Sequence, residues 1–215
     1  MFGRTIVAIG GFPTASLVDY ALGFAEGRRV LVDTTASPDG EFERPEEWDA
    51  ELTPMSFYPW PPEDIRELAL SHDAILVCGG NTANMLAVWR VHSFDRILRE
   101  AWESGVVLFG WGAGMICWFE SGVTDSYGPQ LAGMRDGLGL LEGSACAHYD
   151  GEENRRIVYQ RLMAEGFPAG LALDDAAAAR YEGTDLAEVV SAAPLSSGYW
   201  VGPEGETRLE ARVLT

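Results

Sequence analysis

The residues best suited to chemistry surround a position that has no side chain. Gly112 lies in Val106-Val107-Leu108-Phe109-Gly110-Trp111-Gly112-Ala113-Gly114-Met115-Ile116-Cys117-Trp118-Phe119. An apolar run ends at Gly110, small residues follow, and an apolar helical pattern begins. That is the strand, tight turn and helix layout of a nucleophile elbow, in which a Ser or Cys occupies the strained apex. Here the apex residue is glycine.

Gly79-Gly80-Asn81-Thr82 likewise follows a strand-like run and opens a helix. Two glycines let backbone N–H groups face a ligand, which suits an oxyanion hole or an anion site. The plainer reading is a tight turn with Asn81 or Thr82 capping the helix. His148, in Cys146-Ala147-His148-Tyr149-Asp150-Gly151-Glu152-Glu153, is the histidine placed in a loop at a strand end. Its chemistry would be that of a base taking the proton from a hydroxyl, with Asp150, Asp125 or Glu120 to orient it. His72 and His92 sit in polar helix-terminal contexts and read as structural.

Cys117 is a tempting substitute nucleophile. It lies five residues beyond the apex, and at about 100° per residue it turns away from Gly112, so a buried structural thiol is expected. The acidic cluster Asp49–Glu51 and the pair Asp174-Asp175 carry no His or Cys at ligand spacing. They read as solvated or hydrogen-bonded carboxylates, and no metal site is expected.

Elements must position these residues. Strand-length apolar runs are Thr5–Ile9, Arg29–Asp33, Ala74–Cys78, Val106–Gly110, Gly170–Leu173 and Ala187–Ser191. Helical patterns are Leu17–Glu26, Pro62–Leu70, Thr82–Arg90, Phe94–Glu103 and Glu153–Glu165. The alternation predicts an α/β fold with a mostly parallel central sheet and helices on both faces, three layers in all. Tyr199–Val201 and Arg208–Leu214 read as an antiparallel edge hairpin, and 36–62 as the most loop-like region. In such sheets chemistry sits at the carboxyl ends of the strands, where Gly79–Asn81 and Gly112 both fall.

The 215 residues predict one domain, 1–215, with a sizeable core. The formal charge of −18 repels phosphate backbones and anionic lipid, so neither nucleic acid nor membrane is an expected partner. All fifteen basic residues are Arg, which excludes Schiff-base chemistry and a phosphate-loop lysine. Three widely spaced cysteines, Cys78, Cys117 and Cys146, suit a reducing cytosol. Met1-Phe2-Gly3-Arg4 leads straight into a strand run, so no signal peptide or membrane span is expected, and a cytoplasmic location is.

Together these motifs resemble peptidase E, the alpha-aspartyl dipeptidase family of serine peptidases, over close to the full length. The resemblance rests on Ala8-Ile9-Gly10-Gly11, Val77-Cys78-Gly79-Gly80-Asn81-Thr82-Ala83-Asn84-Met85-Leu86, Gly110 to Glu120, Thr124-Asp125-Ser126, His148-Tyr149-Asp150-Gly151-Glu152 and Leu173-Asp174-Asp175-Ala176-Ala177. It implies a fold like that of class I glutamine amidotransferases. It puts the nucleophilic serine at position 112 and its general base at His148. The third member would be an acid downstream of the elbow, Asp125 by spacing, with Glu120 as the alternative. Gly80 and Ala113 N–H groups, with Gly79 in the same turn, would form the oxyanion hole. Asn81 and Thr82 would lie on the substrate side. Family members cleave dipeptides with an N-terminal aspartate, so Arg135, Arg155 or Arg156 would hold that carboxylate. No cofactor is implied. The expected ligand is a small acidic peptide or amino acid, and homodimer formation stays open.

The chain departs from the family at two places: Gly112 replaces the serine, and Ala147 stands where a proline commonly precedes the histidine. Losing such a nucleophile costs about 10⁶-fold in rate, so an inactive scaffold is expected. Three readings follow. Gly112 is a substitution in a working peptidase; or the chain is a natural pseudoenzyme, binding or regulating through small acidic ligands; or His148 does different acid–base work in the vacated space. Nothing in the sequence supports the third.

Overall fold

The computed structural model describes residues 3–37, 40 and 42–215, so Met1, Phe2 and part of the region read as loop lie outside it. The strands are β1 (Thr5–Ile9), β2 (Arg29–Asp33), β3 (Glu51–Met55), β4 (Ala74–Val77), β5 (Val107–Trp111), β6 (Phe119–Thr124), β7 (Ala132–Met134), β8 (Leu141–Cys146), β9 (Gly170–Leu173), β10 (Ala177–Glu182), β11 (Asp185–Ser191), β12 (Gly198–Gly202), β13 (Gly205–Arg208) and β14 (Ala211–Val213). The helices are α1 (Ala15–Leu22), α2 (Ile65–Leu70), α3 (Thr82–His92), α4 (Phe94–Glu103), α5 (Ala113–Ile116) and α6 (Arg155–Ala164).

The larger sheet has eight strands in the order β14-β11-β10-β1-β5-β4-β2-β3. From β1 to β3 every pairing is parallel, whereas β10 is antiparallel to both β1 and β11. Strands β1, β4 and β5 are buried on both faces, which is why they read as continuous apolar runs rather than as alternating ones. On one face Val7, Ile9, Val32, Leu76 and Phe109 pack against α1 and Trp48. On the other, Ile6, Leu31, Ile75, Val77 and Leu108 meet α3, α4 and α5. Helix α4 shows why it docks: Phe94, Leu98, Ala101 and Trp102 are buried at helical spacing, with Arg96 and Glu103 outside that stripe.

A second sheet of six strands, β13-β12-β9-β8-β6-β7, lies over that second face. Its Ala145, Leu171 and Leu173 join the same core, and its outer face packs Val123, Cys146 and Ala172 against Tyr159 and Met163 of α6. The α/β fold with a largely parallel main sheet is as expected; the second sheet is an addition to the three layers. Gly170–Leu173 belongs to it, not to the main sheet. The expected edge hairpin is only half present. β12 pairs with β13, but β14 leaves that sheet and lies parallel to β11 in the other. The helix after Gly112 is also shorter than the apolar pattern through Phe119 implies, α5 ending at Ile116 with Cys117 as its C-cap. Carbonyls of Cys117, Trp118 and Phe119 accept from 138–141, so the chain leaves the helix after α5 and enters β6. Within 36–62, β3 adds a parallel edge strand beside β2. Among the described residues no helix is long and apolar enough to cross a membrane.

Candidate active site

Both sheets deliver their carboxyl ends to one place. β1 ends at Gly10-Gly11, β4 at Gly79-Gly80 and β5 at Gly112, while β8 leads to His148 and β9 to Asp174-Asp175. Main-chain hydrogen bonds join the two sets. His148 N donates to Gly10 O (3.1 Å), Gly11 N to Asp175 O (3.0 Å) and Gly10 N to Ala177 O (2.9 Å).

Gly112 has φ 56° and ψ −112°. That region is costly for any residue with a Cβ, and glycine occupies it freely. It is the backbone of an elbow apex. A Cβ at position 112 would sit 3.3 Å from His148 Nε2 and 3.5 Å from Gly79 Cα. The side chain missing here therefore aims at the imidazole.

His148 is held from behind. Its Nδ1 lies 2.6 Å from Asp175 Oδ1. A carboxylate oxygen accepts, so Nδ1 is the donor of this pair, and in the neutral imidazole Nε2 then presents its lone pair to position 112. His148 itself has φ 53°, a left-handed conformation unusual for a residue with a side chain. The bonds from its N–H to Gly10 and from Glu152 N to its carbonyl (3.2 Å) hold it there. Asp175 N in turn donates to Asp150 Oδ1 (2.9 Å). Gly11 and Gly151 leave the room: a Cβ at Gly11 would meet Asp175 Oδ1 at 2.6 Å, and one at Gly151 would overlap its carboxylate.

The acid behind the histidine is thus Asp175, not Asp125, Glu120 or Asp150. Glu120 points elsewhere on β6, where its Oε2 accepts from Gly143 N (3.0 Å). Asp125 lines the cavity in front of Gly112, and Asp150 supports Asp175 from the side. Its neighbour Asp174 is buried, its Oδ2 accepting from Ser197 N (2.9 Å), and desolvation raises its pKa. Asp175 is a hydrogen-bonded carboxylate, as expected of the Asp174-Asp175 pair, but that expectation assigns it no part beside the histidine. The signal that marks it is its place just after an apolar strand, at the edge where chemistry gathers.

The cavity, about 300 Å³, is lined by Gly80, Asn81, Thr82, Gly112, Ala113, Ile116, Thr124, Asp125, His148, Glu152 and Arg155. Asn81 caps α3, its Oδ1 accepting from Asn84 N (2.9 Å), and its Nδ2 donates to Ser126 O (3.1 Å). Of the three candidate arginines, Arg155 is at the cavity. It is buried, with Nε on Glu152 Oε2 (2.7 Å) and Nη1 on Val123 O (3.3 Å). Arg156 is engaged elsewhere, between the rings of Tyr149 and Tyr199 and paired with Glu206. Arg135 stacks on Phe167 and bonds Gly166 O. Cys117 is buried, its Sγ 3.6 Å from Gly114 O, and desolvation pushes its pKa well up, the state of an inert thiol.

The comparisons agree with this architecture. The model of peptidase family S51 matches residues 42–189, more than half of the chain. A protein of Bacillus subtilis (strain 168) named "Uncharacterized peptidase YgaJ" is 45% identical over 148 residues, 68% of this chain. The match spans 64% of that relative's length. The chain belongs to peptidase family S51, the peptidase E family. Two crystal structures share the fold at 17% identity. One, of a peptidase from an acI-B1 Actinobacterium, has a TM-score of 0.64 and covers 98% of this chain and 95% of its own. The other bears the peptidase E name, from Listeria monocytogenes EGD-e, with a TM-score of 0.63, covering 86% of this chain and 96% of its own.

Proposed function

We propose that this chain is a peptidase E-like dipeptidase scaffold that binds small peptides beginning with an acidic residue and does not cleave them. One observation carries the reading: a side chain at position 112 would reach His148 Nε2, and Gly112 supplies none. With serine at the apex, the hydroxyl would pass its proton to Nε2 and attack the peptide carbonyl. Asp175 would steady the imidazolium. The N–H groups of Gly80 and Ala113, both at the cavity, would receive the charge developing on the carbonyl oxygen. Glycine removes the attacking atom alone, and those backbone donors stay. Arg155, the candidate arginine at the cavity wall, would hold the substrate's acidic side chain by exchanging its Glu152 partner for the ligand carboxylate.

The test pairs calorimetry with a hydrolysis assay. Aspartate and an aspartyl dipeptide should bind, a neutral dipeptide should bind more weakly, and no free aspartate should appear. Robust turnover by the purified chain would sink the lost-nucleophile reading, and equal binding of neutral and acidic dipeptides would remove the role of Arg155.

A further inference from the structure

A second cavity, of about 450 Å³, is lined by Phe12, Phe42, Arg44 and Cys78 together with Gly79 and Trp111, the residues that directly precede Gly80 and Gly112 of the first cavity. Gly79 stands between the two. Its Cα lies 3.5 Å from where a Cβ at position 112 would sit, and its own Cβ would fall 2.6 Å from Trp111 Nε1. Only a residue without a side chain lets the indole come that close to the main chain beside the apex. The aromatic rings form one connected set. Phe12 meets Trp111 edge-on at 5.1 Å and stacks on Trp48 at 5.9 Å, and Phe42 tilts against Trp48 at 5.7 Å.

Phe12 is 57% exposed, although it contacts two tryptophans. An exposed ring fixed by aromatic neighbours beside a polar cleft is half of a hydrophobic contact awaiting its other half. Two charges stand at this cavity, Arg44 and Glu43. Arg44 is exposed and its Nη2 donates to Trp48 O (3.3 Å), which holds the guanidinium at the aromatic set.

We infer that this aromatic cavity takes the second residue of the ligand, so that the preferred ligand is a dipeptide pairing an acidic residue with an aromatic one. This rests on the reading that the cavity before Gly112 holds the acidic residue. The peptide bond then lies over the apex, with the acidic side chain toward Arg155 and the aromatic ring against Phe12 and Trp111. Arg44 faces the terminal carboxylate that such a dipeptide carries one residue beyond the bond.

The experiment titrates Asp-Phe, Asp-Gly and N-acetylphenylalanine into the chain and into Phe12→Ala by calorimetry. Phe12 is exposed, so the variant should fold, and its melting curve is compared with the parent's. Burying a phenyl ring predicts that Asp-Phe binds about tenfold or more tightly than Asp-Gly. Phe12→Ala should abolish that preference and leave Asp-Gly unchanged. Equal affinity for the two dipeptides, unaltered by Phe12→Ala, overturns the inference while leaving the acidic pocket standing. If neither dipeptide binds, the acidic reading falls, and N-acetylphenylalanine then decides the aromatic cavity alone. Binding that Phe12→Ala weakens supports the cavity, and no binding overturns it.

Discussion

His148 and Asp175 are 27 residues apart in sequence and 2.6 Å apart in space, imidazole Nδ1 against carboxylate Oδ1. The pair fixes which ring nitrogen is free, and that nitrogen faces the apex of the turn at Gly112. The base and its orienting acid are thus arranged around an atom that the chain does not supply.

Gly112→Ser should restore the missing part at a cost in stability. The apex backbone, φ 56°, strains any residue with a Cβ by about 1 kcal/mol. For a chain of this size that lowers Tm by about 2–4 °C. If Gly112 stands in an otherwise working site, release of free aspartate from an aspartyl dipeptide should appear. If the chain has long served as a binding module, stability should fall and activity stay at background. A variant that is both more stable than the parent and inactive would contradict the elbow geometry.

The two candidate acids separate in that serine background. Asp175→Asn leaves the shape of the site intact but allows the wrong imidazole tautomer. It should lower kcat by on the order of 10³–10⁴-fold. Asp125→Asn, at the cavity wall and away from Nδ1, should act mainly on KM. Steady-state kinetics of both variants decide it. A larger kcat loss from Asp125→Asn would return the role to that residue.

Gly151→Ala tests the same acid without touching it. A Cβ at 151 overlaps the Asp175 carboxylate, a half-exposed side chain that must leave His148 Nδ1 to make room. Stability should fall by about 1 kcal/mol, the scale of one lost hydrogen bond. In the serine background, kcat should fall toward that of Asp175→Asn. Retention of full activity would mean that Asp175 does not orient the base.

Asp33, at the end of β2, predicts a pH dependence of stability. It is fully buried, and desolvation pushes its carboxyl up to about 7 despite hydrogen bonds from Thr35 and Trp89. Between the ordinary carboxylate value and about 7 the folded chain holds a proton that the unfolded chain has lost. Stability contributed by this group is therefore complete at low pH and falls as pH rises through that window, by on the order of 4 kcal/mol. Asp33→Asn should remove that slope, at a pH-independent cost of about 1 kcal/mol because its amide N–H opposes that of Trp89. Denaturant melts of parent and variant between pH 4 and 8 measure the difference. Parallel curves would refute it.

The main sheet was legible because β1, β4 and β5 are sealed on both faces and so spell unbroken apolar runs. The second sheet was not. β6 reads Phe-Glu-Ser-Gly-Val-Thr and β8 Leu-Glu-Gly-Ser-Ala-Cys, small and polar sequences that become strands because each supplies the other's ladder. β10 opens with three alanines, better helix formers than strand formers, and is a strand because β1 and β11 flank it. Gly112, Gly80 and His148 announced themselves through local motifs. Asp175 did not, because its partner is distant in sequence, and spacing from the elbow favoured Asp125. Nor does anything local to Arg155 distinguish it from Arg156; they part only because α6 turns one toward the cavity and the other onto Tyr149 and Tyr199.

The crossing from β9 in one sheet to β10 in the other passes through Asp175, while position 112 ends a strand of the larger sheet and His148 follows one of the smaller. The site is therefore a seam, and its alignment works as a vernier between two sheets that share one core. A small slip along the seam would leave each sheet's own strands paired, yet part the imidazole from the apex. In a serine-bearing variant, activity should thus fade on gentle heating or in mild denaturant before either sheet begins to unravel.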